Sequence, residues 1–203
     1  MITLYHAPQS RSSRMIWLLE ELDTPYRIQP VSIFRPMTGA GSPDPANPHP
    51  DKQVPAIDHD SVIVAESVAI VLYLTDAFPK AGAGPVVGDP RRGAYLTWLA
   101  WYAAALEPAM FAGMSGELAG APMKQRNYDA VIGRLENTLS RSPYLMGEAF
   151  SGVDLLVGSA ITFGRHAFPQ SDVLDAYVAR CKARPAALRA IALDEASGLQ
   201  RAA

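Results

Sequence analysis

Glu66-Ser67 opens an apolar periodic run of Val68, Ile70, Val71, Leu72 and Leu74, and the two residues offer opposite halves of an ion site. Ser is a favoured helix N-cap. A helix start carries free backbone N–H groups and the positive end of the dipole, which suits a carboxylate. Glu66 is the complementary anion, able to hold an ammonium. Upstream, Gln53-Val54-Pro55-Ala56-Ile57 places a proline inside an apolar run. There it removes a ladder donor and belongs at an edge, a bulge or a strand start. A cis Pro55 opening the strand would turn Val54 outward with its N–H and C=O free; a trans proline at an edge is the commoner case. A free backbone pair, an anion site and a cation site this close together suit a small zwitterionic peptide. Ser67 as a plain cap and Glu66 as a first-turn acid are the ordinary alternatives.

The elements that must position these residues can be read in order. Ile2-Thr3-Leu4-Tyr5 reads as a short buried strand, followed by a loop, Ala7 to Ser13. Arg14 to Leu22 is helical, with Met15, Ile16, Leu18, Leu19 and Leu22 inward. Tyr26 to Val31 alternates as a second strand. Phe34 to Lys52 is a long arm rich in Pro and Gly, of the kind that is often functional or mobile. Ala56-Ile57 and Val62-Ile63-Val64 flank the polar turn Asp58-His59-Asp60-Ser61 as a hairpin.

The strings Gln53-Val54-Pro55-Ala56-Ile57-Asp58 and Ala65-Glu66-Ser67-Val68-Ala69-Ile70-Val71-Leu72-Tyr73-Leu74 resemble the glutathione site of the cytosolic glutathione transferases. The resemblance implies a thioredoxin-like α/β N-terminal domain, matching the β-α-β-arm-β-β-α order, joined to an all-α C-terminal helical domain. It implies glutathione as co-substrate, bound by Gln53, Val54, Pro55, Glu66 and Ser67. It also implies a hydroxyl near the first helix that hydrogen-bonds the glutathione sulfur. Such a donor, with helix-start N–H groups, lowers the thiol pKa and supplies the nucleophilic thiolate. Ser10 lies four residues before Arg14, where serine- and cysteine-type members place that group, and ranks first. Ser12 is second; Ser13, a helix-cap candidate, and Tyr5, in the strand, follow. Arg11 and Arg14 could add positive potential there or simply be solvated. His49 and Lys52 are the basic candidates for the glycine carboxylate.

Phe78 to Pro85 shifts to Gly, Ala and Pro and reads as a linker. The expected division is therefore residues 1–79, a linker 80–87, and a helical domain 88–203. Asp89-Pro90 starts a helix, and Tyr95, Leu96, Trp98, Leu99, Tyr102 and Leu106 form its broad apolar face. The resemblance implies an apolar second-substrate pocket, for which Tyr102 and Met110 are the candidates. Asn127 to Leu139 is amphipathic. Ser151-Gly152-Val153-Asp154 is a capping box before an apolar helix and has a folding role. The last amphipathic helix, near Val173 to Arg184, carries Cys181 as a buried small residue.

Apolar content of 49% and charged content of 19% fit a globular core, and a net charge of −2 gives no reason to expect nucleic acid or an anionic membrane as partner. A single cysteine, no signal peptide and no apolar stretch of membrane-spanning length suggest a cytoplasmic protein. His6, His49, His59 and His166 lack ligand spacing with one another or with Cys181, so no metal or other cofactor is expected. No phosphate-binding glycine loop, G-x-S-x-G or C-x-x-C string occurs. The expected function is a glutathione transferase with a detoxifying role. It would add the thiolate to a small apolar electrophile, as a homodimer by resemblance. A glutathione-dependent isomerase or reductase, to whose maleylacetoacetate isomerase-like loop Ser10-Arg11-Ser12-Ser13 is loosely similar, and a non-catalytic binding module are the rivals.

Overall fold

The structure, a computed structural model, describes residues 1–202, with side chains through Ser197. The chain divides into two compact units, one of residues 1–81 with the helix from Pro185, the other of residues 82–184.

The first unit begins β1 (Ile2–His6), α1 (Ser13–Glu21), β2 (Tyr26–Pro30), β3 (Ala56–His59), β4 (Val62–Ala65) and α2 (Ser67–Ala77). The sheet order is β2-β1-β3-β4. Strand β1 runs parallel to β2 and antiparallel to β3, and β3 is antiparallel to β4. This is the thioredoxin-like arrangement. Helix α1 forms because Met15, Ile16, Leu18 and Leu19 recur at helical spacing, and all four are buried. Trp17 and Arg14 are buried beside them, so the inward face is wider than the aliphatic pattern alone indicates. The Pro-rich arm is stitched by its own polar groups. Asn47 Nδ2 donates to the Gln53 carbonyl at 2.8 Å, the Ser32 N–H donates to Asp44 at 3.2 Å, and Lys52 Nζ donates to the Asn47 carbonyl at 2.7 Å.

Helix α8 (Pro185–Ala202) packs on α1, with Ala186, Ala187 and Ala190 buried and Arg189 Nε donating to Glu20 at 2.5 Å. The composition-based division placed this helix with the helical half, running on to residue 203, which lies outside the described residues. Periodicity shows that a segment is amphipathic but not which surface receives it, so nothing local to Pro185 marks the return to the first unit.

The second unit contains α3 (Arg92–Trp101), α4 (Glu107–Ser115), α5 (Pro122–Leu139), α6 (Gly152–Phe163) and α7 (Asp172–Lys182). Residues Tyr102–Leu106 between α3 and α4 form a π-helical segment. Pro108 lacks the N–H that would close the preceding α-helical turn, and a widened turn upstream accommodates it. Tyr95, Trp98, Leu99, Tyr102 and Leu106 point inward as expected, but Leu96 is 40% exposed. The capping box forms at Ser151, and the fully buried Asp154 accepts from the N–H groups of Leu145 (2.8 Å) and Ser151 (2.9 Å) and from the Tyr177 hydroxyl (3.1 Å). Burial holds the Asp154 carboxyl above its ordinary value despite these donors. Among the described residues, no helix is long and apolar enough to cross a membrane, and no group of three or more His, Cys, Asp and Glu could hold a metal ion.

Candidate functional site

The β3–β4 hairpin brings the two strings together. Its register pairs Ala56 with Ala65, so Pro55 and Glu66 stand one step beyond that pair, and Val54 and Ser67 two steps. The Val54–Pro55 peptide is cis, and the ladder to β1 starts after it, at Ala56. Glu66 is exposed and has φ 68° and ψ 124°, a backbone region that non-glycine residues seldom occupy and that clusters at ligand sites. Its carbonyl accepts the Ile70 N–H at 2.9 Å, closing the first turn of α2. Ser67 is buried, and its Oγ lies 2.8 Å from Arg14 Nη2. Gln53 is exposed, with its carbonyl tied to Asn47. Arg14 is thus no solvated surface cation: it crosses from α1 and sets a guanidinium beside the start of α2. A carboxylate approaching there meets helix-start N–H groups, a hydroxyl and a nearby positive charge.

The serine loop separates its hydroxyls by role. Ser10 is half-buried; its Oγ donates to the Ala7 carbonyl at 2.6 Å, lies 2.7 Å from Ser12 Oγ and accepts the Ser12 N–H at 3.1 Å. Ser12 has 0% exposure. Its Oγ contacts His6 Nδ1 at 2.9 Å, the Ala7 N–H at 3.1 Å and the Ala7 carbonyl at 3.2 Å, as well as Ser10. One donor and two lone pairs are fully used by such a set. Ser12, the second catalytic candidate, is thus closed off from the surface and fully engaged, while Ser10 beside it is partly exposed. Ser13 Oγ donates to Asp194 at 2.7 Å. Arg35 reaches over from the arm, donating to the carbonyls of Pro8 (2.6 Å) and Gln9 (3.2 Å).

Asp194 of α8 anchors the loop. Its carboxylate accepts the Gln9 N–H at 3.1 Å and the Ser13 hydroxyl, and lies 3.1 Å from His6 Nε2. Burial works to raise this carboxyl, but the close His6 ring and the hydrogen bonds of Ser13 and Gln9 outweigh it and hold it below the ordinary range. A depressed acid contributes stability that is fully present above its unfolded value, 3.8, and is lost as pH falls through the lower folded value. The wild type should accordingly be more stable than Asp194→Asn above that value and lose its advantage below it. Urea midpoints measured across the acid range test this; an advantage persisting unchanged to about pH 2 would contradict it.

The remaining expected site residues are placed differently. Tyr102 (1% exposed) and Met110 (3%) fill the interior of the helical unit rather than lining an open cleft. The Tyr102 hydroxyl donates to Glu107, and the Met110 sulfur sits where a side chain at Gly164 would go. His49 and Lys52, the candidates for a second carboxylate, are spent inside the arm: His49 Nδ1 accepts the Asp51 N–H at 3.1 Å, and Lys52 donates to Asn47. His6, Asp194 and Arg35 are site residues that sequence reasoning missed. His6 ends β1 six residues before its serine partner. Asp194 lies far along the chain, in a run with no motif.

A family model described as the glutathione S-transferase N-terminal domain matches residues 4–84. The chain is 27% identical over 156 residues to glutathione S-transferase 3 of Schizosaccharomyces pombe, a match covering 77% of this chain and 62% of that protein's length. It is 30% identical over 175 residues to the disulfide-bond oxidoreductase YfcG of Escherichia coli, covering 76% of each. Its fold is similar to that of a glutathione S-transferase of Actinobacillus pleuropneumoniae, with a TM-score of 0.81, 23% identity and coverage of 96% of this chain and 93% of the other. The cis proline before β3, the Glu66-Ser67 start of α2 and the hydroxyl loop before α1 thus lie in a chain that belongs to the cytosolic glutathione transferase family.

Proposed function

We propose that this protein binds glutathione at the start of α2, ionises its thiol at the serine loop and adds the thiolate to a small apolar electrophile. The observation that carries the reading is the 2.8 Å hydrogen bond from Arg14 to Ser67. Arg14 is the second residue of α1 and Ser67 the first of α2, so the bond draws the two helix starts together and sets a carboxylate site beside the hydroxyl loop.

In this reading Ser67, the α2 N–H groups and the field of Arg14 take the γ-glutamyl carboxylate. Glu66 takes the ammonium. The backbone of Val54, ahead of Pro55, pairs with the cysteinyl peptide unit, and Gln53 faces the glycine end. Ser10 Oγ donates to the sulfur. The sulfur lone pair then forms the S–C bond, and the electron pair displaced from the electrophile leaves with a departing group or is protonated. A free thiol with pKa near 8.5 is about 3% ionised at pH 7, so complete ionisation supplies at most about 30-fold. The rest must come from holding thiolate and electrophile together. Removal of small electrophiles by a homodimer is the setting this activity fits.

Glu66→Ala should weaken glutathione binding 30- to 150-fold, or about 2–3 kcal/mol, if the carboxylate pairs with a desolvated ammonium. Calorimetry reads this directly, and an unchanged Kd would remove Glu66 from the site.

The kinship with a disulfide-bond oxidoreductase supports a second reading, glutathione-dependent disulfide reduction. The sole cysteine, Cys181, is buried in α7, and burial foremost, with the Asp154 charge behind it, pushes its thiol up to about 12. Disulfide exchange would then run on glutathione sulfurs alone: one thiolate breaks the substrate S–S bond, and a second glutathione resolves the mixed disulfide. Product analysis separates the readings, a conjugate marking the first and glutathione disulfide the second.

A further inference from the structure

His6 is fully buried at the end of β1 and sits between two partners that point at the site. Its Nδ1 is 2.9 Å from Ser12 Oγ, and Ser12 Oγ is 2.7 Å from the half-buried Ser10 Oγ. On the other side, Nε2 lies 3.1 Å from the Asp194 carboxylate, close enough for charge contact but off the axis of an aligned hydrogen bond. The series Ser10–Ser12–His6–Asp194 is continuous and joins β1, the start of α1 and α8. It shares its residue types with a Ser-His-Asp triad, with the ring reversed: there Nε2 faces the serine and Nδ1 the carboxylate. With Ser12 wholly buried, no external carbonyl can reach its oxygen, so the array is no acyl-transfer site. It is a wire that meets the surface at Ser10 and, at its far end, at the partly exposed Asp194.

We infer that His6 is the base that takes the thiol proton of bound glutathione, through the two serine hydroxyls, and that Asp194 is the residue that poises it. This rests on the glutathione reading of the site. A carboxylate can only accept, so Asp194 favours the tautomer with the proton on Nε2. That leaves Nδ1 as an acceptor for the Ser12 hydroxyl, and the Ser10 hydroxyl, turned from the Ala7 carbonyl onto Ser12 Oγ 2.7 Å away, donates to Ser12. A thiol arriving at Ser10 donates to its remaining lone pair. In the transfer the S–H proton passes to Ser10, the Ser10 proton to Ser12 and the Ser12 proton to His6 Nδ1. One S–H bond is lost and one N–H bond is gained. No heavy atom moves, and every hydrogen bond in the chain reverses. Ser10 then donates to the thiolate, as the bound anion requires, and the imidazolium lies against the Asp194 carboxylate. The Ala7 carbonyl, 2.6 and 3.2 Å from the two hydroxyls, is their alternative acceptor before the wire is engaged and takes no proton at neutral pH. Asp194 is the charged group in contact with His6, and the Arg35 guanidinium lies on the adjoining carbonyls of Pro8 and Gln9.

The test uses the whole protein with Asp194→Asn, His6→Gln and Ser12→Ala. Glutathione affinity is measured by calorimetry, the thiolate of bound glutathione by its ultraviolet absorbance against pH, and kcat and KM with a chromogenic electrophile. The inference requires that Asp194→Asn keep its glutathione Kd within about threefold, lose the thiolate absorbance at neutral pH and lose roughly 10- to 30-fold in kcat, up to the ceiling that thiol ionisation sets. A merely structural clamp would move Kd and KM with kcat and leave the thiolate titration in place, which overturns the proposal. Should His6→Gln or Ser12→Ala fold poorly, imidazole nitrogen NMR on the wild type still decides. A proton on Nε2 in the free enzyme, and on both nitrogens after glutathione binds, supports the wire. An imidazole that stays unchanged on binding overturns it. Wild-type protein that fails to bind glutathione at all overturns the site reading, and with it this proposal, and calorimetry tells that failure apart from the others.

Discussion

Asp154→Ala should lower the unfolding free energy by about 3–5 kcal/mol, the scale of breaking a buried, fully hydrogen-bonded charge. The carboxylate gathers the N–H groups of Leu145 and Ser151 and the hydroxyls of Ser151 and Tyr177. Truncation leaves the Leu145 and Ser151 donors buried without this acceptor, each costing roughly 1–3 kcal/mol and not additively, while the Tyr177 hydroxyl keeps the Asp154 carbonyl at 3.3 Å. Asp154→Asn keeps one oxygen but turns an amide N–H toward a backbone N–H, so it should cost an intermediate amount. Denaturant unfolding checks the series, and a loss below about 1 kcal/mol for the alanine variant would contradict the role given to this network.

Ser10→Ala should lower kcat by up to about 30-fold, the ceiling set by thiol ionisation, while leaving the KM for glutathione nearly unchanged. Ser10 is the hydroxyl of the loop that combines partial exposure with a place at the end of the chain from His6. Its loss removes the donor to sulfur but none of the groups assigned to the glutamyl end. Ser13→Ala is the comparison: its hydroxyl is committed to Asp194, so it should shift stability more than rate. Equal losses in both variants would mean that the loop acts through its shape rather than through one hydroxyl.

Much of this site is local in sequence and was legible there. A proline opening a strand, a turn and a serine-capped helix are short-range signals, and the hairpin that joins Val54 and Pro55 to Glu66 and Ser67 follows from them. The capping box at Ser151 is legible for the same reason. What was not legible depends on distant chain. Arg14 can be read as surface or core until α2 is placed against α1. Ser12 looks equivalent to Ser10 until burial and its contacts with His6 and Ala7 occupy its hydroxyl. Asp194 lies 181 residues from Ser13 and no pattern links the two. Tyr102 and Met110 share a helical periodicity that fits a core as well as a pocket, and they are buried in the core. A helix such as α8 shows its apolar stripe in sequence but not the partner that covers it.

The most direct test of the account is to titrate the wild-type protein with glutathione by calorimetry while following thiolate absorbance at neutral pH. The account predicts saturable binding at one site per chain, with the thiolate band appearing in step with occupancy. Absence of binding would contradict the account outright: the family's fold would be kept without its ligand. Binding without the thiolate band would leave the peptide site standing and contradict the assignment of thiol ionisation to the serine loop.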